Sequence, residues 1–422
     1  MWDKIDALIE QRQSELVALA QRLVQTPSIS GDEKKYQLLL AKEMRQLGMQ
    51  VDLWYPTDED LRQHPAYAMV DARELTGRPS LVGRISGEEG TSGRSLMINC
   101  HADVVPAGDV ATWSFAPFGG QLVDGKLYGR GSCDMKGNTA VALFVLGLLQ
   151  EAGYQPAGEI QFHSVTGEET GGVGTLSSIV RGYQADAAII LEPTNLEIVP
   201  AQAGAATFRL TVPGKAAHGS MREEGVNPIE KFIRLHTALL ALERKRNQEF
   251  DHPFYQGFAN KIPLSIGTIS SGVWHSSVPD QLVAEGRYGV RVGESIADAQ
   301  AEFAQCVQVV CADDHWLKQH PVILQWIDGQ FESTEITLKE PILQLLAECY
   351  RQVFSGEPPL RGVTYGSDMR LLVNYANIPS VLFGAGNILV AHGADEYIPI
   401  ADMLSMAKII ARLIVAWCGQ RG

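Results

Sequence analysis

The sequence predicts an α/β protein: a doubly wound, mostly parallel sheet interrupted by a smaller α+β domain. Three observations predict it. Apolar runs the length of buried strands alternate with helical stretches from about residue 80 to 200. After Thr194 the pattern changes to strands that alternate polar and apolar residues, in the order β-α-β-β-α-β, as in a ferredoxin-like sandwich. From about residue 335 the strand–helix alternation resumes, so the first domain is interrupted and then completed. The expected division is 1–202 with 325–422 for one domain and 203–324 for the inserted one.

The elements follow in order. Ile5, Leu8, Ile9, Leu16, Leu19, Leu23 and Val24 have helical spacing over 3–25, and Pro27 ends that helix. A second amphipathic stretch, Tyr36 to Leu47, stops at Gly48, a C-cap residue. The polar stretch Thr57 to Pro79 reads as a surface excursion. Asn138 to Glu151 is the clearest helix. In the insertion, Thr207–Val212 alternates as a half-exposed strand does. Asn227-Pro-Ile-Glu then opens a helix with an N-cap, Pro at the first position and Glu at the third. Ile262–Ser270 and Gln281–Val292 read as strands, Ile296–Asp313 as a helix and Val322–Trp326 as the last strand. The closing part predicts helix Glu340–Phe354, strand Ser380–Phe383 and helix Ile400–Trp417.

Composition narrows the function. At 422 residues the chain exceeds one ordinary core and suits two domains. A net charge of −14 and a pI near 5.2 argue against nucleic acid or an anionic membrane as partner. No apolar run reaches the roughly 18 residues of a membrane span. The charged start, Met1-Trp-Asp-Lys-Ile-Asp, lacks the apolar stretch of a signal peptide, so a cytoplasmic protein is expected. Six cysteines without CxxC spacing fit free thiols in that compartment. Cys100 is rejected as a ligand because on a strand it points away from the face of His101.

Five metal-capable side chains stand out: His101, Asp134, Glu169, Glu192 and His392. His101 follows the run Ser95–Cys100, Glu168-Glu169 follows Ile160–Val165, and Glu192 ends Ala187–Leu191. Ligand sites of open α/β sheets lie beyond the carboxyl ends of the strands. Each residue also has a plainer reading. His101-Ala-Asp103 fits a structural histidine, Asp134 a turn or cap, Glu168-Glu169 a solvated acidic pair and His392 a surface residue. The glycines of Thr170-Gly-Gly-Val-Gly and the desolvation of Glu192 favour chemistry instead. Asp103 is placed to orient His101 through its second ring nitrogen. Three carboxylates and two imidazoles suit a two-zinc centre with a bridging Asp.

The chain resembles the acetylornithine deacetylase / succinyl-diaminopimelate desuccinylase / aminoacylase / carboxypeptidase family of co-catalytic zinc metallopeptidases. The resemblance is carried by Met97-Ile-Asn-Cys-His-Ala-Asp-Val-Val-Pro, Leu127-Tyr-Gly-Arg-Gly-Ser-Cys-Asp-Met-Lys-Gly, Thr166-Gly-Glu-Glu and Leu191-Glu-Pro-Thr. It continues through Gly214-Lys-Ala-Ala-His-Gly-Ser, Gly366-Ser-Asp-Met-Arg and Ala391-His-Gly-Ala-Asp-Glu-Tyr, from about residue 95 to 397.

The resemblance implies a catalytic domain of the zinc exopeptidase kind and an inserted lid that also makes a homodimer. Asp134 would bridge two divalent metals, zinc first with cobalt or manganese as alternatives. His101 and Glu192 would complete one site, Glu169 and His392 the other, with a cis peptide after Asp134. Glu168 would be the general base, Asp103 would orient His101, and His218 would steady the oxyanion in a neighbouring subunit. Arg287, Ser367 and Arg370 would contact substrate, although an amphipathic-strand surface role suits Arg287 equally. Trp274-His-Ser-Ser-Val-Pro departs from relatives that carry Asn before Val-Pro.

The implied reaction is hydrolysis of the amide bond of a small N-acylated amino acid or amine. A dipeptidase or carboxypeptidase of the same family is the alternative. A non-catalytic binding module is remote, because all five ligands and Glu168 are present.

Overall fold

A computed structural model describes residues 2–70, 75–87, 93–327 and 329–421. The chain divides into two compact units. The first is Met1–Pro200 with Ile336–Arg361 and Ser367–Gly422, and the second is Ala201–Glu335 with Gly362–Gly366. A boundary after residue 324 would cut the strand Ile323–Trp326. That strand pairs antiparallel with Gly204–Pro213 and so stays with the second unit.

The first unit is built on a twisted sheet. Its strands run in the order Gln50–Trp54, Ser80–Ile85, Ile160–Val165, Leu96–His101, Ala187–Ile190, Ser380–Leu382 and Ile198–Gln202. The four inner strands from Ile160–Val165 to Ser380–Leu382 are mutually parallel, and the flanking pairings are antiparallel. Every residue of Leu96–His101, Ile160–Val165 and Ala187–Ile190 is buried, which requires cover on both faces. The helix Gly137–Glu151 packs between Gln13–Val24 and Ile400–Cys418. With only Gln150 and Glu151, both at its C-terminal end, exposed among its residues and Gly147 half-buried, it carries no polar stripe.

Two expectations change. The helix predicted over 3–25 is broken at Arg12, giving Trp2–Gln11 and Gln13–Val24. Arg12 leaves helical geometry (φ −100°, ψ 19°) and pairs with Glu15 and Glu151. Thr57–Pro79 is not a mere surface excursion, insofar as it is described. Leu61, Ala66, Val70 and Leu75 form a buried cluster with Val173, Leu176 and Leu371. Sparse apolar residues without a period concealed that packing from the sequence.

The second unit has the strand order Leu264–Ser271, Gln281–Val290, Gly204–Pro213, Ile323–Trp326, all antiparallel. In chain order that is 2-3-1-4, the ferredoxin-like arrangement, with helices Pro228–Glu249 and Ile296–Ala312. Asn227 caps the first helix by accepting the N–H of Ile229. Phe208, Tyr288, Phe303 and Trp326 make its aromatic core. Beside that core Arg246 is buried, donating to Glu294 (2.7 Å), to Gly289 O (2.9 Å) and to Glu302, with its guanidinium over the Tyr288 ring. No described helix is long and apolar enough to cross a membrane.

Removing the Arg246 side chain leaves the Glu294 carboxylate with only the Arg291 N–H and strands the buried Gly289 carbonyl. Arg246→Ala is therefore expected to destabilise the second unit by about 3–5 kcal/mol. Urea unfolding followed by hydrogen exchange checks this, with the loss of protection concentrated in residues 204–326.

Candidate metal centre

The segments that carry His101, Glu168, Glu169, Glu192 and His392 leave the carboxyl ends of the first unit's parallel strands, whereas Asp134 follows Lys126–Tyr128, a strand of a separate antiparallel sheet. His101 is the last residue of its strand, and Glu168 and Glu169 stand on a short turn just after Val165. Glu192 lies two residues past Ile190, and His392 lies in the loop after Leu382. Asp134 comes from the turn Ser132–Lys136, with a cis peptide between Asp134 and Met135. Parallel pairing in register brings these ends together, as strand-end sites require.

The two oxygens of Asp134 face two histidines. Oδ1 lies 2.9 Å from His101 Nε2 and Oδ2 lies 3.4 Å from His392 Nε2. Glu169 Oε2 is 3.2 Å from the same His392 nitrogen. Ligand atoms of His101, Asp134 and Glu169 lie within 4.8 Å of one another, and so do those of His101, Glu168 and Glu192. The structure thus gathers all five expected ligands and Glu168. Glu168 lies in the second of these groups, beside His101 and Glu192.

Burial makes this arrangement costly for the protein groups alone. Desolvation, then the charge of Asp134, push the Glu192 carboxyl up to about 8. Desolvation and then Glu192 hold the Glu168 carboxyl well above the usual carboxylate range. Hydrogen bonds to Asp134 and Glu169 push His392 up to about 10, although its side chain is 53% exposed. Glu169 Oε1 is buried with no hydrogen-bond partner. Crowded carboxyls and an orphaned oxygen facing two imidazoles are what a divalent cation satisfies, and N/O donors suit zinc or a similar ion. The residues fit a metal.

Asp103 lies in the site by a different contact than expected. His101 Nδ1 meets the carbonyl oxygen of Asp103 at 2.8 Å, whereas the carboxylate is 3.9 Å away. That carboxylate accepts the N–H groups of Glu168 (3.2 Å) and Glu169 (3.3 Å) and the Ser30 hydroxyl (3.0 Å). Asp103 therefore anchors the turn that carries both glutamates. Ser367 and Arg370 are fully buried. Arg370 Nη2 donates to Gly171 O at 2.7 Å, and Ser367 Oγ accepts the N–H of Met369. His218 and Arg287 belong to the second unit. His218 is exposed and its Nδ1 contacts Ser220 Oγ, while Arg287 donates to Thr364 O at 3.0 Å.

Sequence reasoning missed several supports. Asp368 accepts the Thr175 hydroxyl at 2.6 Å, and a Cβ on Gly172 (φ +81°) would lie 2.1 Å from its Oδ1. Only glycine fits there. Asn138 clamps two site loops, donating to Leu191 O and Ala385 O and accepting from Ala385 N. Lys136, fully buried, donates to Thr26 O beneath the Asp134 turn, and burial pushes it down to about 7. Glu396 accepts the N–H groups of Cys133 and Asp134. A polar residue inside an otherwise apolar or glycine-rich stretch was the available signal for each. Cys100 Sγ points to His163 O, away from Asp134, and all six cysteines are free.

A buried cluster of this composition, mostly at strand ends, is that of a divalent-metal site. The model of peptidase family M20/M25/M40 matches residues 97–416, and the chain belongs to that family. It is 27% identical over 436 residues to N-formyl-4-amino-5-aminomethyl-2-methylpyrimidine deformylase of Bacillus subtilis (strain 168), covering 98% of this chain and 97% of the relative. It is 30% identical over 337 residues to succinyl-diaminopimelate desuccinylase of Rhodopseudomonas palustris (strain BisA53), covering 76% and 81%. Its fold is similar to that of the di-peptidase Dug1p from Saccharomyces cerevisiae, with a TM-score of 0.79 at 13% identity, covering 99% and 98%.

The raised groups fix the sign of a pH effect. Folded Glu192 binds its proton more tightly than the unfolded chain does, so metal-stripped protein loses stability as pH rises from 4.5 to about 8. The His392 contribution is complete below 6.5 and is lost as pH approaches about 10. The melting temperature of chelator-stripped protein is expected to fall as pH rises from about 4.5 to about 10, most steeply between 6.5 and about 8 where both groups contribute, and metal affinity to rise over the same window. Differential scanning calorimetry with and without metal checks both.

Proposed function

We propose that the protein hydrolyses the amide bond of a small N-acylated amine or amino acid whose acyl group is short, such as formyl, acetyl or succinyl. The observation that carries this reading is Glu168, a buried carboxyl within ligand distance of His101 and Glu192 and next in sequence to Glu169. The substrate class is supported by the deformylase relative, which aligns over nearly the whole chain, and by the desuccinylase.

In this reading His101, Asp134, Glu169, Glu192 and His392 would hold two divalent cations, zinc by donor type. Bound metal supplies Lewis acidity and lowers the pKa of water. Glu168 accepts the proton of the attacking water and passes it to the departing amine nitrogen. Its burial suits that second step, because a carboxyl with a raised pKa holds the proton long enough to deliver it. Asp103 keeps the Glu168 amide, and hence the turn, in place. Arg287, Ser367 and Arg370 are assigned to the substrate side, Arg370 acting from its contact with Gly171 O.

The second unit is the proposed lid and dimerisation domain. Support comes from Leu264–Ser271, a sheet-edge strand that is mostly exposed, followed by exposed Val273 and Trp274. A second copy can pair there, and His218 then serves the oxyanion of the neighbouring subunit. A cytoplasmic location is supported by the free thiols.

Three experiments test this. N-formyl, N-acetyl and N-succinyl amines and amino acids, the formylated aminomethylpyrimidine and simple dipeptides are offered to zinc- or cobalt-loaded protein. One N-acyl class should be hydrolysed, whereas dipeptides alone would overturn the deacylase reading. Glu168→Gln should retain its metal and lose about 100- to 10,000-fold in kcat. Separately, mixing inactive Glu168→Gln and His218→Ala proteins should restore activity, since a heterodimer holds one intact site. No recovery after subunit exchange would remove His218 from the mechanism.

A further inference from the structure

We infer that Arg130 and Glu396 are positioning residues for the metal centre: one buried ion pair holds the backbones of two ligands, Asp134 and His392. The inference rests on the reading of Asp134 and His392 as ligands. Both Arg130 and Glu396 are 1% exposed, and Arg130 Nη1 donates to Glu396 Oε2 at 2.6 Å. The other carboxylate oxygen, Oε1, accepts the N–H of Cys133 at 2.9 Å and of Asp134 at 3.1 Å. The other guanidinium nitrogen, Nη2, donates to His392 O at 3.1 Å and to Pro106 O at 3.3 Å. One end of the pair thus grips the turn of Asp134, and the other grips the loop of His392.

The His392 loop needs such a grip. His392 (φ +62°) and Asp395 (φ +55°) both hold the left-handed conformation that non-glycine residues adopt at a cost of about 1 kcal/mol or more each. Asp395 is tied to the N–H and hydroxyl of Ser114, both at 2.7 Å. The carbonyl of Glu396 accepts the N–H of Gly129, joining the two segments again one residue before Arg130. The Trp113 ring covers the guanidinium at 5.2 Å. Neither Arg130 nor Glu396 belongs to a ligand-distance cluster among the described residues. Their role is to set where the ligands stand.

Stability alone is a poor reason for this pair. A buried ion pair is often matched or exceeded in stability by apolar side chains of similar volume. Apolar side chains cannot, however, accept two backbone N–H groups on one side and donate to a ligand's carbonyl on the other. The pair therefore matters for metal affinity more than for folding of the metal-free chain. Outer contacts that orient ligands commonly change metal affinity about 10- to 100-fold.

The experiment uses full-length wild type, Glu396→Gln and the double variant Arg130→Met/Glu396→Leu. Each is stripped with chelator and titrated with Zn2+ against a chromophoric competitor. Melting temperatures are taken with and without metal, and Co2+ absorption is recorded. The expected result is a roughly 10- to 100-fold loss of affinity, a smaller metal-induced rise in melting temperature and an altered Co2+ spectrum. The metal-free double variant also orphans the N–H groups of Cys133 and Asp134, so it should melt below wild type, but by less than the metal-loaded double variant does. Unchanged affinity with a lower metal-free melting temperature would overturn the inference and leave a purely structural pair. Wild type that binds no metal would instead overturn the metal-centre reading itself. If Glu396→Gln and the double variant do not fold, Arg130→Lys decides, since it keeps the charge but loses the fork that reaches His392 O. Unaltered affinity in that variant overturns the inference.

Discussion

Five acidic side chains, Asp103, Asp134, Glu168, Glu169 and Glu192, are gathered at one end of a sheet with only two imidazoles among them. Their mutual repulsion and desolvation are the constraint to which the rest of the first unit answers. The answer uses backbone N–H groups for two carboxylates outside the ligand set. Asp103 takes two from the glutamate turn, and Glu396 takes two from the aspartate turn. The acids that stay out of the ligand clusters thereby hold the loops of those within them.

The fold makes that answer possible. Three in-register parallel pairings deliver His101, the glutamate turn, Glu192 and the His392 loop to the same end of the sheet. Asn138 ties the Glu192 strand end to the loop before His392, and the left-handed Gly172 lets Asp368 approach the glutamate turn. The second unit solves a separate problem: it is an antiparallel sheet with an aromatic core and a buried Arg246, and it keeps its own hydrogen-bond network. Its exposed edge strand is the feature that gives it a proposed role in assembly.

Much of the site was legible because its residues sit at punctuation points of the sequence. His101, Glu168, Glu169 and Glu192 each end or follow an apolar run, and the period of a buried strand is readable in a single chain. The direction of hydrogen bonds was not legible. Asp103 looked placed to bind His101 through its carboxylate; its carbonyl does so instead, because the chain turns after the strand and sends the side chain to the glutamate turn. Arg370 read as a substrate contact, but nothing in the sequence showed that it lies buried and donates to Gly171 O. Arg130 and Glu396 were visible inside conspicuous stretches, but 266 residues separate them and nothing local links them.

The sequence by itself determined the alternation of strands and helices, the interruption by a ferredoxin-like insertion and the identity of the metal-capable side chains. Those follow from periodicity, turn residues and side-chain chemistry, all of which act over a few residues. Tertiary structure decided which acids face a cation and which face backbone amides, and that Thr57–Pro79 contributes to a core. It also decided which buried pair supports the ligands. Those outcomes depend on distances between segments remote in the chain, set only when sheet register and loop packing are complete.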